Sequence, residues 1–310
     1  MPVPQQYTYP RYLRSKRTVD DRALNRDVME AVLAGLPSDR PVRIAELGGG
    51  VGTMVDRLIE TGRISNADYV LVDTQAEFLE DANTLAAQWR QGLTRNLTTA
   101  VPGVSFEVST RHVPLEDWIA REDSTFDLII AHAVLDLVDV ETVLPRLFER
   151  LAPSGVFWPT INFDGETIFM PKDPRDGALM DAYHLSMDER VRDGRPSGSS
   201  TAGRELFGHI RAAGGSIVRA GSSDWVVFSG TDGYESDEAY FAHHIIHTVE
   251  QELGTHPTLA DSVRGWGELR HAQVESGELV YIAHQLDFAV CRGDAEAGVV
   301  SASSTPATDT

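Results

Sequence analysis

The run Val42-Arg-Ile-Ala-Glu46-Leu-Gly48-Gly-Gly50-Val-Gly52-Thr-Met54 constrains this chain more than any other. It reads as a buried strand that turns through glycines into a helix. Without Cβ atoms at 48, 50 and 52 the backbone is free to take positive φ and lie against a ligand, with unpaired N–H groups of the following helix facing it. A second strand-like run, Tyr69-Val-Leu-Val-Asp73, ends on an acidic residue 21 positions beyond Gly52. A carboxylate in that place accepts hydrogen bonds from both hydroxyls of a ribose.

The glycine spacing separates two cofactor classes. A dinucleotide fingerprint, G-x-G-x-x-G, would need glycine at 53, where this chain has Thr53. The pattern Glu46-x-Gly48-x-Gly50-x-Gly52 instead resembles the first motif of the class I S-adenosylmethionine-dependent methyltransferases, and Asp73 matches the acidic residue of their second strand. The resemblance covers about residues 42–162, and more loosely the closing strands to 291. It implies S-adenosyl-L-methionine as cofactor, with Glu46, Gly48, Gly50, Gly52 and Asp73 as its binding residues. The family often has an Asp for the adenine at the end of its third strand; here Val108-Ser-Thr-Arg-His112 offers Thr110 or Arg111. His132, closing the fourth strand Phe126-Asp-Leu-Ile-Ile-Ala131, stands where family members contact the methionyl group or place a catalytic residue. The Asn/Asp-Pro-Pro-aromatic sequence used on planar exocyclic or amide nitrogens is absent there.

Alternation of β-rich runs with helical periodicity predicts strands at about 42–47, 69–73, 104–109, 126–131 and 155–162, and helices at about 52–61, 76–90, 115–121 and 141–151. The expected fold is α/β: a doubly wound, Rossmann-like, seven-stranded and mostly parallel sheet with an antiparallel last strand at 279–290. Residues 1–38 read as an N-terminal helical lead-in, with Thr18 as N-cap of a run ending near Leu36. Residues 39–292 form the main domain, with helical cap insertions at about 163–200 and 233–277. A disordered tail is expected at 293–310, which is Gly-, Ala-, Ser- and Thr-rich.

The chain carries 47 acidic against 27 basic residues, a formal charge of −20, and its only lysines are Lys16 and Lys172. This balance repels phosphate backbones, so no nucleic-acid partner is expected. It suits a salt-rich cytoplasm, or follows from a codon bias toward Arg and Asp. The first origin predicts a melting temperature that climbs steeply up to molar KCl as repulsion is screened; a flat profile favours the second. No apolar run has the ~18 residues of a membrane helix. A single cysteine, Cys291, and an N-terminus without a signal pattern lead to an expected cytoplasmic location and no membrane partner.

Tyr240, His243 and His247 share one face of a predicted helix in the second cap. Three readings of that face stand side by side: an acceptor pocket with a catalytic role for these residues and for His132, an amphipathic helix with boundary histidines, and a metal pair. No H-E-x-x-H arrangement or third ligand supports a metal, so none is expected. The resulting expectation is a methyltransferase acting on oxygen, nitrogen or carbon of a small-molecule acceptor. A protein or RNA methyltransferase, a nicotinamide-dependent oxidoreductase and a non-catalytic adenosylmethionine-binding protein are the alternatives.

Overall fold

The computed structural model describes residues 1–192 and 194–293. The expected tail, beyond Gly293, lies outside the described residues. Eleven strands and eleven α-helices follow one another as α1 (Tyr9–Ser15), α2 (Arg17–Ala23), α3 (Arg26–Ala34), β1 (Val42–Leu47), α4 (Thr53–Thr61), β2 (Asn66–Asp73), α5 (Ala76–Trp89), β3 (Ser105–His112), α6 (Leu115–Arg121), β4 (Phe126–His132), α7 (Val140–Glu149), β5 (Leu151–Thr160), β6 (Asn162–Met170), α8 (Asp176–Asp188), β7 (Val191–Arg192), β8 (Arg195–Pro196), α9 (Ala202–Ala212), β9 (Gly215–Ser222), β10 (Trp225–Val227), α10 (Glu238–Leu253), α11 (Ala260–Ser276) and β11 (Val280–Arg292).

The strands β3-β2-β1-β4-β5 run parallel, and β11 joins the sheet antiparallel to β5, with β9 and β10 on its far side. Strands buried on both faces read as continuous apolar runs, as Leu128-Ile-Ile-Ala131 does. Period-2 alternation sends Leu128 and Ile130 into a core beneath α3, α4 and α5, and Ile129 and Ala131 into a second core beneath α6, α7 and α9. The sheet is therefore doubly wound.

It has nine strands where seven were expected, and the register explains the difference. Along β11, Leu286 pairs Asn162 of β6 on one side and Ser222 of β9 on the other; Ala283 pairs Thr167 of β6 and Trp225 of β10. Thus β5 and β6 share one rank and β9 and β10 another, which leaves seven ranks across the sheet. The segment read as insertion material from 163 begins as β6. Between β5 and β6 the backbone bends at Ile161, with φ of 58°. Its N–H is held at 2.7 Å by the buried carboxylate of Asp287 in β11.

The N-terminal lead-in also differs from the single helical run expected. It breaks at Leu24, whose ψ is 124°, and Asn25 caps α3 by accepting the Val28 N–H at 3.1 Å. Thr18 caps no helix; its hydroxyl donates to Glu238 of α10 at 2.5 Å.

Candidate functional site

At the carboxyl ends of β1, β2 and β4 lies a cleft of about 460 Å³, within the range of small-ligand sites. Its lining includes Gly48, Gly50, Asp73, Val134 and, from the N-terminal segment, Tyr9 and Leu13. This is the position where an open α/β sheet reverses strand order and leaves a crevice.

The glycine turn builds one wall. Gly48, Gly50 and Gly52 all have positive φ, at 64°, 54° and 79°. Beneath the turn, a Cβ on Gly52 would stand 2.7 Å from the Trp89 ring, so glycine is required there for packing. Gly50 faces the cleft, and a Cβ there would stand 3.0 Å from Leu13 Cδ1 in α1. Gly50→Val is expected to combine backbone strain of ~1–2 kcal/mol with a side chain filling the cleft. Calorimetry should show adenosyl-ligand binding lost by ~3 kcal/mol or more, about 100-fold, while the melt stays cooperative.

Asp73 forms the end wall. Its Oδ2 accepts the Gly50 N–H at 2.9 Å and its Oδ1 the Gln75 N–H at 2.8 Å. A carboxylate has about four lone-pair sites, so two remain for hydroxyls of a ligand. Burial pushes the Asp73 carboxyl up from its ordinary range, against the N–H groups of Gln75 and Gly50 that hold it down.

The other sequence-expected residues stand apart from the lining. Glu46 is 2% exposed and lies under the turn, accepting the Tyr69 hydroxyl at 2.7 Å. Burial raises its pKa to about 8. Thr110 donates to Asn83 at 3.2 Å on the outer strand β3. His132 is buried at the end of β4, 3.0 Å from Asp20 of α2. Lining residues that sequence reasoning missed come from α1 and from the apolar segments after β3 and β4, such as Val113, Leu115 and Leu137. Their only signal was a short apolar run following each strand.

Tyr240, His243 and His247 are brought together on α10, as their spacing implied, and the N-terminal segment covers them. Tyr240 accepts the Thr8 N–H at 2.8 Å, and the Arg11 guanidinium sits 3.9 Å above its ring. Tyr7 stacks on His247 at 4.0 Å, and Tyr12 on His244 at 4.2 Å. His243 is wedged between His271, with Nδ1 to Nδ1 at 2.8 Å, and the Met1 carbonyl at 3.2 Å. None of the three belongs to the lining of the cleft. Among the described residues, no group of three His, Cys, Asp or Glu side chains is placed to hold a metal ion.

This cover is pH-sensitive by construction. Burial holds His243 and His244 at about 4 and lowers His247 as well. An unfolded histidine titrates near ~6.5, so their contribution to stability is complete above that pH and is lost as pH falls toward the folded values. Corrected for the intrinsic rate, which itself slows as pH falls, the protection of amides in residues 7–13 is expected to drop between pH 6.5 and 4; protection that is flat across this window would remove the assignment.

Residues 45–157 match the family described as "Methyltransferase domain". Over 128 residues the chain is 31% identical to the trans-aconitate 2-methyltransferase of Variovorax paradoxus, a match that spans 41% of each chain. Over 129 residues it is 28% identical to the tRNA 5-carboxymethoxyuridine methyltransferase of Escherichia coli, covering 41% of this chain and 42% of that one. The chain thus spans about two fifths of the length of the curated relatives it matches. Among solved structures it is similar to a SAM-dependent methyltransferase from Thiobacillus denitrificans in complex with S-adenosyl-L-homocysteine. That likeness has 18% identity and a TM-score of 0.47, over 94% of this chain and 100% of that chain. The glycine turn and Asp73 thus both lie within residues 45–157, the stretch that matches the methyltransferase-domain family.

Proposed function

We infer that this chain transfers the methyl group of S-adenosylmethionine to a small-molecule acceptor. The observation that carries the reading is the cleft itself. Gly48 and Gly50 bare one wall for the methionyl end, and Asp73 keeps two lone-pair sites for a ribose. Bound there, the cofactor supplies a methyl carbon on a positively charged sulfur. The chain's task is then to hold an acceptor atom in line with that carbon and to exclude water.

A small acceptor is favoured over a polyanion by two features. Tyr9 and Leu13 of α1 close over the cleft, and the charge of −20 opposes a phosphate backbone. One relative is named for trans-aconitate and the other for a tRNA base, so the relatives alone do not choose. Helices α8, α10 and α11 are assigned as the acceptor-side cover. Asp176 ties α8 to α11, accepting from Trp266 at 2.8 Å and Arg270 at 2.5 Å.

The test is incubation with methyl-labelled S-adenosylmethionine and a metabolite extract, with bulk tRNA in a parallel reaction. Label in a small molecule supports the reading, and label in tRNA alone overturns the acceptor class. Tighter binding of NADH than of S-adenosylmethionine in calorimetry would overturn the cofactor assignment.

A further inference from the structure

The turn that follows β4 carries a polar group with nothing to meet. Residues Leu135–Leu137 form one turn of 3₁₀ helix, and Val134, Leu137 and Val138 around it line the cleft. Asp136, inside that turn, has its Oδ1 buried without a hydrogen-bond partner. The loop after α8 packs against the same turn. A Cβ on Gly198 would stand 3.4 Å from the Asp136 carbonyl oxygen and 3.7 Å from Arg190 Cβ, so Gly198 is held between Arg190 and the turn. Among the described residues, the side chain of the half-buried Arg190 makes no hydrogen bond and no ion pair.

Two hydroxyls complete the group. Tyr9 of α1 lines the cleft, and its ring stacks at 5.7 Å on Phe78, another lining residue. Tyr183 stands on α8, the helix that leads to Arg190. Neither hydroxyl has a hydrogen-bond partner among the described residues. The four groups act on one another electrostatically. Burial raises Tyr9, and Asp136 and Asp73 raise it further while Arg190 lowers it. Burial pushes Tyr183 up to about 12, where Arg190 pulls down against Glu252, Asp136 and Tyr9. Burial also raises Asp136, with its own backbone N–H, Arg190 and Lys16 opposing. Such influence falls off over short distances in a screened medium. Tyr9 thus belongs both to the cleft wall and to this second group.

We propose that Arg190, Tyr9, Tyr183 and Asp136 form the acceptor subsite beside the cofactor cleft, and that it takes a small organic acid whose carboxylate lies on the Arg190 guanidinium. This rests on the methyl-transfer reading above. A guanidinium presents a planar fork of N–H donors that matches a carboxylate. The Tyr9 and Tyr183 hydroxyls are neutral at physiological pH and can donate to its remaining lone pairs. An O–H or N–H of the same molecule finds its acceptor in Asp136 Oδ1. Unpaired polar groups gathered from several elements are rare in folded chains unless a ligand or water satisfies them. Val134 and Leu137, on either side of Asp136 in the chain, connect this subsite to the cofactor cleft. One guanidinium balances one carboxylate; with Asp136 and Asp73 close by, it leaves no surplus for a phosphate dianion. The net charge of −20 is spread over the whole surface and opposes polyanions, whereas this contact is a single local pair.

The test splits a metabolite extract on an anion-exchange resin at neutral pH and incubates each fraction with the protein and methyl-labelled S-adenosylmethionine. The retained fraction should support labelling and the flow-through should not. Labelling supported by the flow-through overturns the proposal, and so does labelling lost when the retained fraction is first treated with a phosphatase. Arg190→Gln should raise the amount of retained fraction needed for half-maximal labelling by at least about tenfold, the loss of hydrogen bonds to a charged partner. Arg190→Lys keeps the charge without the fork and should recover part of it. Adenosylhomocysteine affinity, read by calorimetry, should match the wild type in both variants. Wild-type labelling by Arg190→Gln overturns the role of Arg190, and loss of adenosylhomocysteine binding in both variants overturns it as well, in favour of a structural one. A wild-type protein that binds S-adenosylmethionine and labels nothing in either fraction is a separate outcome, which overturns the methyl-transfer reading itself.

Discussion

Asp73→Ala is expected to weaken S-adenosylmethionine binding by at least about 100-fold, because two hydrogen bonds to a charged acceptor are lost at ~1.5–3 kcal/mol each. The carboxylate also braces the wall it belongs to. Without it the N–H groups of Gly50 and Gln75 lose their acceptor and the glycine turn loosens on the cleft side. Asp73→Asn separates the two effects. It keeps one oxygen acceptor but sets an amide N–H₂ against a backbone N–H, so its affinity should fall between the two. Calorimetry with S-adenosylmethionine and adenosylhomocysteine reads both variants. Wild-type affinity in Asp73→Ala would move the ribose elsewhere, to Glu77 or Glu116 of the same lining.

The largest effect on stability is expected at Asp56, which has no exposed surface. Its Oδ1 accepts the Trp89 indole N–H at 2.7 Å, and its Oδ2 lies 2.6 Å from Arg95 Nη1 and 3.5 Å from Arg17 Nη1. Arg95 also donates to the carbonyl of Val51 inside the glycine turn. Removal of one partner from such a cluster leaves buried cations and a buried N–H uncompensated. Asp56→Ala should therefore cost ~3–5 kcal/mol and lower Tm by on the order of 10 °C. Asp56→Asn keeps an acceptor for Trp89 and should recover part of the loss. A melt within a degree or two of wild type in Asp56→Ala would show that the arginines find other partners or water. Because the cluster supports the floor of the cleft, cofactor affinity should fall along with stability.

Periodicity and glycine spacing made the parallel half of the fold legible. Runs such as Tyr69–Asp73 and Phe126–Ala131 carry both their strand and their burial in local composition, and the turn between β1 and α4 needs glycine for reasons a sequence displays. The antiparallel half was less so. β6 alternates weakly, with polar residues between Phe163 and Phe169, and it exists because β11 offers thirteen residues of ladder to two neighbours on each side. A strand made by its partner leaves little trace in its own residues. The N-terminal helices were misread for the same reason. The break at Leu24 is stabilised by Asn25, whose N–H is bound at 2.9 Å by Asp287, 262 residues away.

The site divides along the same line. The sequence by itself pointed to a cofactor class and to three residues that line the cleft, Gly48, Gly50 and Asp73, because their places depend on one turn and one strand end. It also put Tyr240, His243 and His247 on one helical face, because helix period alone settles that. What covers this face, what closes the cleft and which group His132 meets were decided only in the tertiary structure. Each of these depends on residues 1–25 folding back across the sheet ends onto α10 and β4. Contacts between segments more than a hundred residues apart are set by the global packing minimum, and no local pattern of residues encodes them.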